Sequence, residues 1–430
     1  MPIAICEIDL SAGLGPLTLE PGYESLWLVV RAGRRPLGMV RLGVPAEGRV
    51  LGVEVLKGAI EAVMMGTQTH VVTEPTAGRA PERRGPISVV VCTRDRPESL
   101  GRCLEALGRL DYPDYEVVVV DNASRDATTR EVVEGTGLRY VREDRPGLDW
   151  ARNRGAAEAR HGIIAYTDDD VQVDRSWLCG IAEAFGDPQV AAVTGLVLPA
   201  ELETEAQLLF ERYGGMGKGF KPRLFRRQEL GETALVAAHN CGVGANMAFR
   251  RSTLHQVGGF DTALDVGTPS CGGGDLDMFH RVLAAGLALY YEPSAMVWHQ
   301  HRRDRAGLRR QLYCNGRSFG VYLGKIWRDQ TVPRPTVARY AAHWVGGYLG
   351  RRLLDRARGR LDFPLDLVWA EFWGMTHAPA AFWTTFRRDA AFRRQTAGQL
   401  ITRPAEEPIP SAPSTGLRGS PPAVPTARSH

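Results

Sequence analysis

The stretch ISVVVCT at Ile87–Thr93 is an unbroken, β-branched run, and it decides the fold. Leu100, Cys103, Leu104, Leu107 and Leu110 follow at helical spacing, and EVVVV at Glu116–Val120 then ends in Asp121. Two strands that are apolar throughout and joined by a helix form a parallel βαβ unit, because only a crossover can bring the second strand alongside the first. The alternation continues with strand Leu138–Arg142, helix Asp149–Arg160, strand Gly162–Thr167, helix Ser176–Phe185 and strand Val190–Leu198. The expected fold class is therefore α/β, a doubly wound and mostly parallel sheet. Ligands of such sheets sit beyond the C-terminal strand ends. Those ends carry Thr93-Arg94-Asp95, Asp121-Asn122 and Asp168-Asp169-Asp170.

Around this core the chain divides by composition. Residues 1–73 read as a small accessory β-rich unit, with strands at Ser25–Arg31 and Leu37–Leu42 and a helix at Leu56–Met65. Residues 74–85 read as a polar linker, 86–330 as the catalytic α/β domain, 331–402 as a helical appendage and 403–430 as a disordered Pro/Ser/Ala-rich tail. Within the central domain, helix Thr204–Tyr213, loop Gly214–Arg227, strand Ala245–Phe249 and helices Arg251–Val257 and Asp275–Ala285 are expected. Two short strands, Leu287–Tyr291 and Ala295–Trp298, then lead to His299 and the helix Arg305–Tyr322.

Composition narrows the function classes. In 430 residues, 44% are hydrophobic and 24% charged, as in a globular protein with a sizeable core. A net charge of +4 is too small to argue for nucleic acid, although Arg302–Arg360 carries 15 Lys+Arg against 3 Asp+Glu. Seven scattered cysteines without a C-x-x-C pair argue against a disulfide framework or a zinc site. With no signal peptide and no uninterrupted apolar stretch of about 18 residues, a cytoplasmic protein is expected. Aromatic and Arg residues between Tyr340 and Phe392 suit either a packed helical appendage or peripheral contact with the inner face of the cell membrane.

Three carboxylates at the tip of a buried strand repel one another and resist desolvation, unless a divalent cation carrying a polyphosphate joins them. In an extended chain Asp168 and Asp170 share one side and Asp169 points away. A solvated turn is the alternative reading. No G-x-G-x-x-G follows the first strand, which disfavours a nicotinamide enzyme. Thr93, Arg94 and Asp95 instead offer a hydroxyl, a guanidinium and a carboxylate to a base or ribose, and Asp121 offers a carboxylate to a nucleoside. Arg152 and Asn153, in a helix that opens at Gly147, are candidates to hold diphosphate or base. Asn246 is a candidate sugar contact among glycines, or a strand-start hydrogen-bonding residue.

In order, ISVVVCTRDRPESL, YEVVVVDNASRD, GLDWARNRGAA, GIIAYTDDDV, GANMAFRR, GGFD and GGGDLDMFHRV resemble a family 2 glycosyltransferase of the GT-A fold over residues 86–300. The resemblance implies inverting, Mn²⁺- or Mg²⁺-dependent transfer of a sugar from a nucleotide-diphosphate donor to an acceptor hydroxyl on a glycan, lipid-linked glycan, peptide or small molecule. By resemblance, Asp121 sits at the nucleoside, while Asp168 and Asp170 serve the metal-diphosphate motif, with Asp170 as the direct ligand and the role of Asp169 open. His299 matches a further metal ligand; by their charge alone, His301, Arg302 and Arg303 suit either a diphosphate clamp or a solvated basic run. The family usually opens one helix with a Glu-Asp pair whose Asp is the base. Here Gly274 takes the Glu position and Asp275 the Asp position, with Asp277 as an alternative base or acceptor contact. The departure at Gly274 leaves one competing reading, a catalytically inactive nucleotide-sugar-binding partner of a glycan synthase. A dehalogenase-type phosphotransferase is disfavoured, because position 172 is Gln where Thr or Val is required.

Overall fold

The Val-rich runs that define the βαβ unit lie side by side at the centre of the molecule. A computed structural model describes residues 2–44, 50–67, 85–359 and 363–400. The expected linker (apart from Gly85) and the expected tail lie outside the described residues. In chain order the strands are β1 (Ile3–Asp9), β2 (Leu17–Thr18), β3 (Ser25–Ala32), β4 (Arg35–Gly43), β5 (Val50–Leu51), β6 (Ile87–Thr93) and β7 (Tyr115–Asn122). They continue as β8 (Arg139–Glu143), β9 (Ile163–Asp168), β10 (Val171–Val173), β11 (Val190–Pro199), β12 (Arg223–Phe225), β13 (Asn246–Arg250) and β14 (Ala288–His299).

The main sheet has the order β10-β14-β11-β13-β9-β6-β7-β8, with β12 on the far side of β14. Strands β9, β6, β7 and β8 are parallel, as the unbroken apolar runs require: Val89, Val90 and Val91 pair with Val117, Val118 and Val119, all buried. The other half is mixed, since β13 runs antiparallel to both β9 and β11. A mixed α/β sheet is thus the observed fold, with its all-parallel part confined to the first half of the domain.

Two strands were expected where one runs. β14 continues through Pro293, and its register against β11 jumps from Gly195↔Glu292 to Leu196↔Met296. Proline removes a ladder donor, so the strand bulges rather than ends. The Asn246 amide fills the gap: Nδ2 donates to Ala295 O at 2.7 Å and Leu196 O at 3.0 Å, and Oδ1 accepts from Trp177 Nε1 at 2.9 Å. Fully engaged and buried at the start of β13, Asn246 stitches the sheet, which favours the hydrogen-bonding alternative over the sugar contact.

The N-terminal strands β1, β3 and β4 form their own sheet, backed by the helix Val53–Thr67. Val29 and Met39 pack on Leu196, Leu198 and Met296 of the main sheet, and Arg31 pairs with Asp174 at 2.8 Å. At the other end, the helix Arg305–Asp329 lies against the helix Leu365–Thr376. Residues Met1–Asp389 cluster as one unit; of the second, Ala390–His430, only the end of the helix Ala378–Leu400 is described. Among the described residues, no helix is long and apolar enough to cross a membrane.

Replacing Asn246 with Leu strands three polar groups around the bulge. Each buried unsatisfied group costs about 1–3 kcal/mol, so Asn246→Leu is expected to destabilise the fold by about 3 kcal/mol or more in chemical denaturation. A loss below about 0.5 kcal/mol would contradict this role.

Candidate active site

Every carboxylate of the acidic motif follows from sheet register. β9 ends at Asp168, a two-residue turn carries Asp169 and Asp170, and β10 then pairs with the end of β14, setting Val171 opposite His299. Gln300 N donates to Asp170 O at 2.9 Å, which fixes that turn. Asp170 Oδ1 consequently lies 3.3 Å from His299 Nε2, and Oδ2 lies 3.1 Å from Arg96 Nη1. Asp169, in the same turn, accepts from Thr93 Oγ1 at 2.8 Å and shares Arg96 Nη1 with Asp170, at 3.0 Å.

Asp168 keeps its side chain partly open to solvent, yet burial of its surroundings pushes its pKa up to about 7, with Arg152 opposing and Asp170, Asp169 and Asp275 reinforcing. A carboxylate so short of positive charge suits the company of a cation. His299 is driven the other way: burial lowers its pKa to about 4, so the imidazole is neutral and fit to bind a metal. Its Nδ1 lies 3.1 Å from His301 Nδ1, whose ring hydrogen-bonds Glu211 at 2.7 Å. Among the described residues no three acidic, His or Cys side chains converge tightly enough to hold an ion unaided. Asp168, Asp170 and His299 fit a metal that takes its remaining ligands from diphosphate and water. Beside Asp170, Arg96, Arg102, Arg302 and Arg303 line a cleft whose wall also carries Asp95, Glu98 and Asp304.

On the neighbouring strand ends, Asp95 adopts a left-handed backbone (φ 54°), accepts from Arg125 N at 2.8 Å and Arg125 Nε at 3.1 Å, and is flanked by exposed Arg94. Asp121 is fully buried. It accepts from Ser124 N at 3.0 Å, Tyr140 Oη at 2.7 Å and Arg142 Nη1 at 3.0 Å, so both of its oxygens already have protein partners.

β13 runs antiparallel to β9 and pairs Asn246 with Thr167, so the turn before β13 lies beside Asp168. Gly244 N in that turn donates to Asp275 Oδ2 at 2.9 Å, bringing the first turn of the helix Gly274–Ala284 to the acidic motif. Asp277, two residues on, is buried and held by Arg281 Nε at 2.6 Å and Lys325 Nζ at 2.5 Å. That ion pair, formed with a residue 48 positions away, removes Asp277 from the candidate bases and acceptor contacts.

Asn153 likewise departs from expectation. Its amide donates to Phe260 O at 2.9 Å and accepts from Phe260 N at 2.8 Å, a structural clasp rather than a donor contact. Arg152 is buried and does join the site: Nη1 donates to Asp149 Oδ1 at 3.0 Å and Nη2 lies 3.7 Å from Asp168 Oδ1. Sequence reasoning passed over Asp149, Arg96 and Asp265. Asp149 and Asp265 are both buried, and burial raises both pKa values, that of Asp265 to about 6. The signal for Asp149 was present in the missing side chain at Gly274.

Residues 88–258 match the family model for glycosyl transferase family 2. The chain is 25% identical over 338 residues to a pre-mycofactocin glycosyltransferase of Mycobacterium tuberculosis, covering 74% of this chain and 66% of that protein. It is 25% identical over 188 residues to a glucosyl-dolichyl phosphate glucuronosyltransferase of Haloferax volcanii, covering 41% and 56%. The chain thus spans roughly half to two thirds of these relatives' lengths. Among solved structures, a mannosyltransferase of Pyrobaculum calidifontis in complex with GDP-mannose and Mn²⁺ aligns with a TM-score of 0.48 and 19% identity, over 71% of this chain and 90% of that one.

His299 gives a stability test with a definite sign. An unfolded imidazole takes up its proton near the ordinary value of 6.5, whereas the buried ring resists until about pH 4. More protons on the unfolded state mean that stability is complete above pH 6.5 and is lost as pH falls toward 4. Against a His299→Gln variant, the metal-free protein should lose about 3 kcal/mol more across that window. Parallel profiles in urea denaturation at pH 7 and pH 4.5 would contradict the buried neutral ring.

Proposed function

We infer the reaction from the premise that residues 88–258 belong to glycosyl transferase family 2: the protein is a metal-dependent inverting glycosyltransferase that moves a sugar from a nucleotide-diphosphate donor to an acceptor hydroxyl. The observation that carries this reading is that Asp168 lies among Asp170, Asp275 and Arg152 at one end of the sheet, with His299 beside Asp170.

Asp170, Asp168 and His299 would hold Mn²⁺ or Mg²⁺, which supplies charge neutralisation to the leaving diphosphate when bound. Arg302, together with Arg96 in the same cleft, adds positive charge to the diphosphate side. Thr93 and Arg96 hold Asp169 inward, keeping the turn in shape for its two neighbours. Arg94 and Asp95 sit at the rim where a nucleoside would enter.

Asp275 takes the proton of the acceptor hydroxyl as that oxygen forms its bond to the anomeric carbon. The bond from that carbon to the diphosphate oxygen breaks on the opposite face, and its electron pair leaves with the nucleoside diphosphate. Gly244 N–H on Oδ2 orients the carboxylate for this role. The inactive-partner reading loses its main support, because Asp149 fills the place vacated at Gly274.

The helix Leu365–Thr376 bears an exposed stripe of Leu365, Trp369 and Trp373, one turn apart, and Trp383 follows on the next helix. Indole rings on an Arg-rich appendage suit an anionic lipid surface and a lipid-linked acceptor.

Two measurements test these assignments. Asp170→Ala should abolish Mn²⁺-dependent binding of nucleoside diphosphate in calorimetry. Asp275→Asn should bind normally and lose about 10²–10⁴-fold in kcat; normal turnover by Asp275→Asn removes it as the base. For the stripe, sedimentation with vesicles containing anionic lipid should carry down the wild type but not a Trp369→Ser/Trp373→Ser variant, and equal sedimentation rejects the membrane contact.

A further inference from the structure

The helix Gly274–Ala284 begins without a side chain at the position where the family resemblance leads one to expect Glu. A Cβ built on Gly274 would lie 1.8 Å from Asp149 Oδ2, 2.6 Å from its Cγ and 2.7 Å from its Oδ1. The carboxylate of Asp149 therefore occupies the volume that any larger residue at 274 would need. It arrives from a separate element, the first turn of the helix Leu148–Glu158, and it is 1% exposed.

Only one of its oxygens is engaged. Oδ1 accepts from Arg152 Nη1 at 3.0 Å, while Oδ2, aimed at the Gly274 backbone, is buried with no hydrogen-bond partner. An unpartnered buried carboxylate oxygen costs stability, so its retention asks for a role. Arg152 indicates one. A Cβ on Gly244 would lie 3.0 Å from Arg152 Nη2 and 2.9 Å from Asp275 Oδ2, so the guanidinium and the proposed base converge on the same turn. On its other flank Nη2 faces Asp168. With one arm tied to Asp149, Arg152 stands between the metal-motif carboxylate and the base without closing onto either.

We propose that Asp149 is a positioning residue that replaces, from a different helix, the carboxylate missing at position 274, and that it acts by holding Arg152 away from Asp275. This rests on the reading of Asp275 as base. Without Asp149, Arg152 would be free to pair fully with Asp275 and block its approach to the acceptor proton. A Glu restored at 274 cannot coexist with Asp149, because two carboxylates would compete for one buried site.

The test is a transplant in the full chain, with kcat read as nucleoside diphosphate release from the donor sugar nucleotide that the wild type turns over. Asp149→Ala and Gly274→Glu should each lower kcat at least ~10-fold, with donor KM and calorimetric binding of nucleoside diphosphate and Mn²⁺ unchanged. The double variant Asp149→Ala/Gly274→Glu should recover to within ~3-fold of wild type, whereas Asp149→Ala/Gly274→Gln should not. Asp149→Asn, which keeps the shape, should lose turnover at an unaltered melting temperature, covering the case in which the repacked variants fail to fold. A fully active Asp149→Asn, or a folded, donor-binding double variant no better than either single change, overturns the proposal. Should Asp275→Asn turn over normally, the reading of the base falls instead, separately from these outcomes.

Discussion

One buried guanidinium organises the site. Arg152 is the cation set among Asp149, Asp168 and Asp275, and its own charge is reinforced by all three. Arg152, with Lys218 beside Asp275, leaves these three carboxylates short of matching positive charge, and burial raises the pKa values of Asp149 and Asp168. On the proposed reaction, a divalent cation carrying the diphosphate would relieve that shortfall at the strand tip. Each carboxylate is delivered by a different element: Asp168 by β9, Asp149 by the first turn of one helix and Asp275 by the first turn of another. The rest of the fold brings those three ends together.

The parallel half of the sheet was readable in the residues because its cause is local. A run such as EVVVV admits few alternatives once a helix-spaced segment precedes it. Asp169, in the turn after β9, was left open by alternation, and its place follows from its contacts with Thr93 and Arg96. The Gly274 departure was also visible in the sequence.

What escaped notice depends on partners far away in the chain. Asn153 clasps Phe260 across 107 residues, and Asn246 spans the bulge at Ala295 across 49. Asp277 answers to Lys325. Each is a polar residue inside a motif rich in functional groups, and spacing alone gives them the same look as site residues. The distinction is burial with complete hydrogen bonding, a property of the folded chain. Asp149 shows the converse, a site neighbour that no periodic pattern marks. The expected break between Leu287–Tyr291 and Ala295–Trp298 is instead a bulge at Pro293, which interrupts the ladder while an amide side chain fills the gap.

The ion cluster around Lys325 has a mechanical meaning. Lys325 lies on the helix Arg305–Asp329, which packs along the aromatic-striped helix, and it grips Asp277, two residues past Asp275. Asp261 and Asp329 stand close by, at 3.5 Å and 3.4 Å. The helix that carries the exposed tryptophans is thus joined, through the helix Arg305–Asp329 and one buried ion cluster, to the helix that carries Asp275.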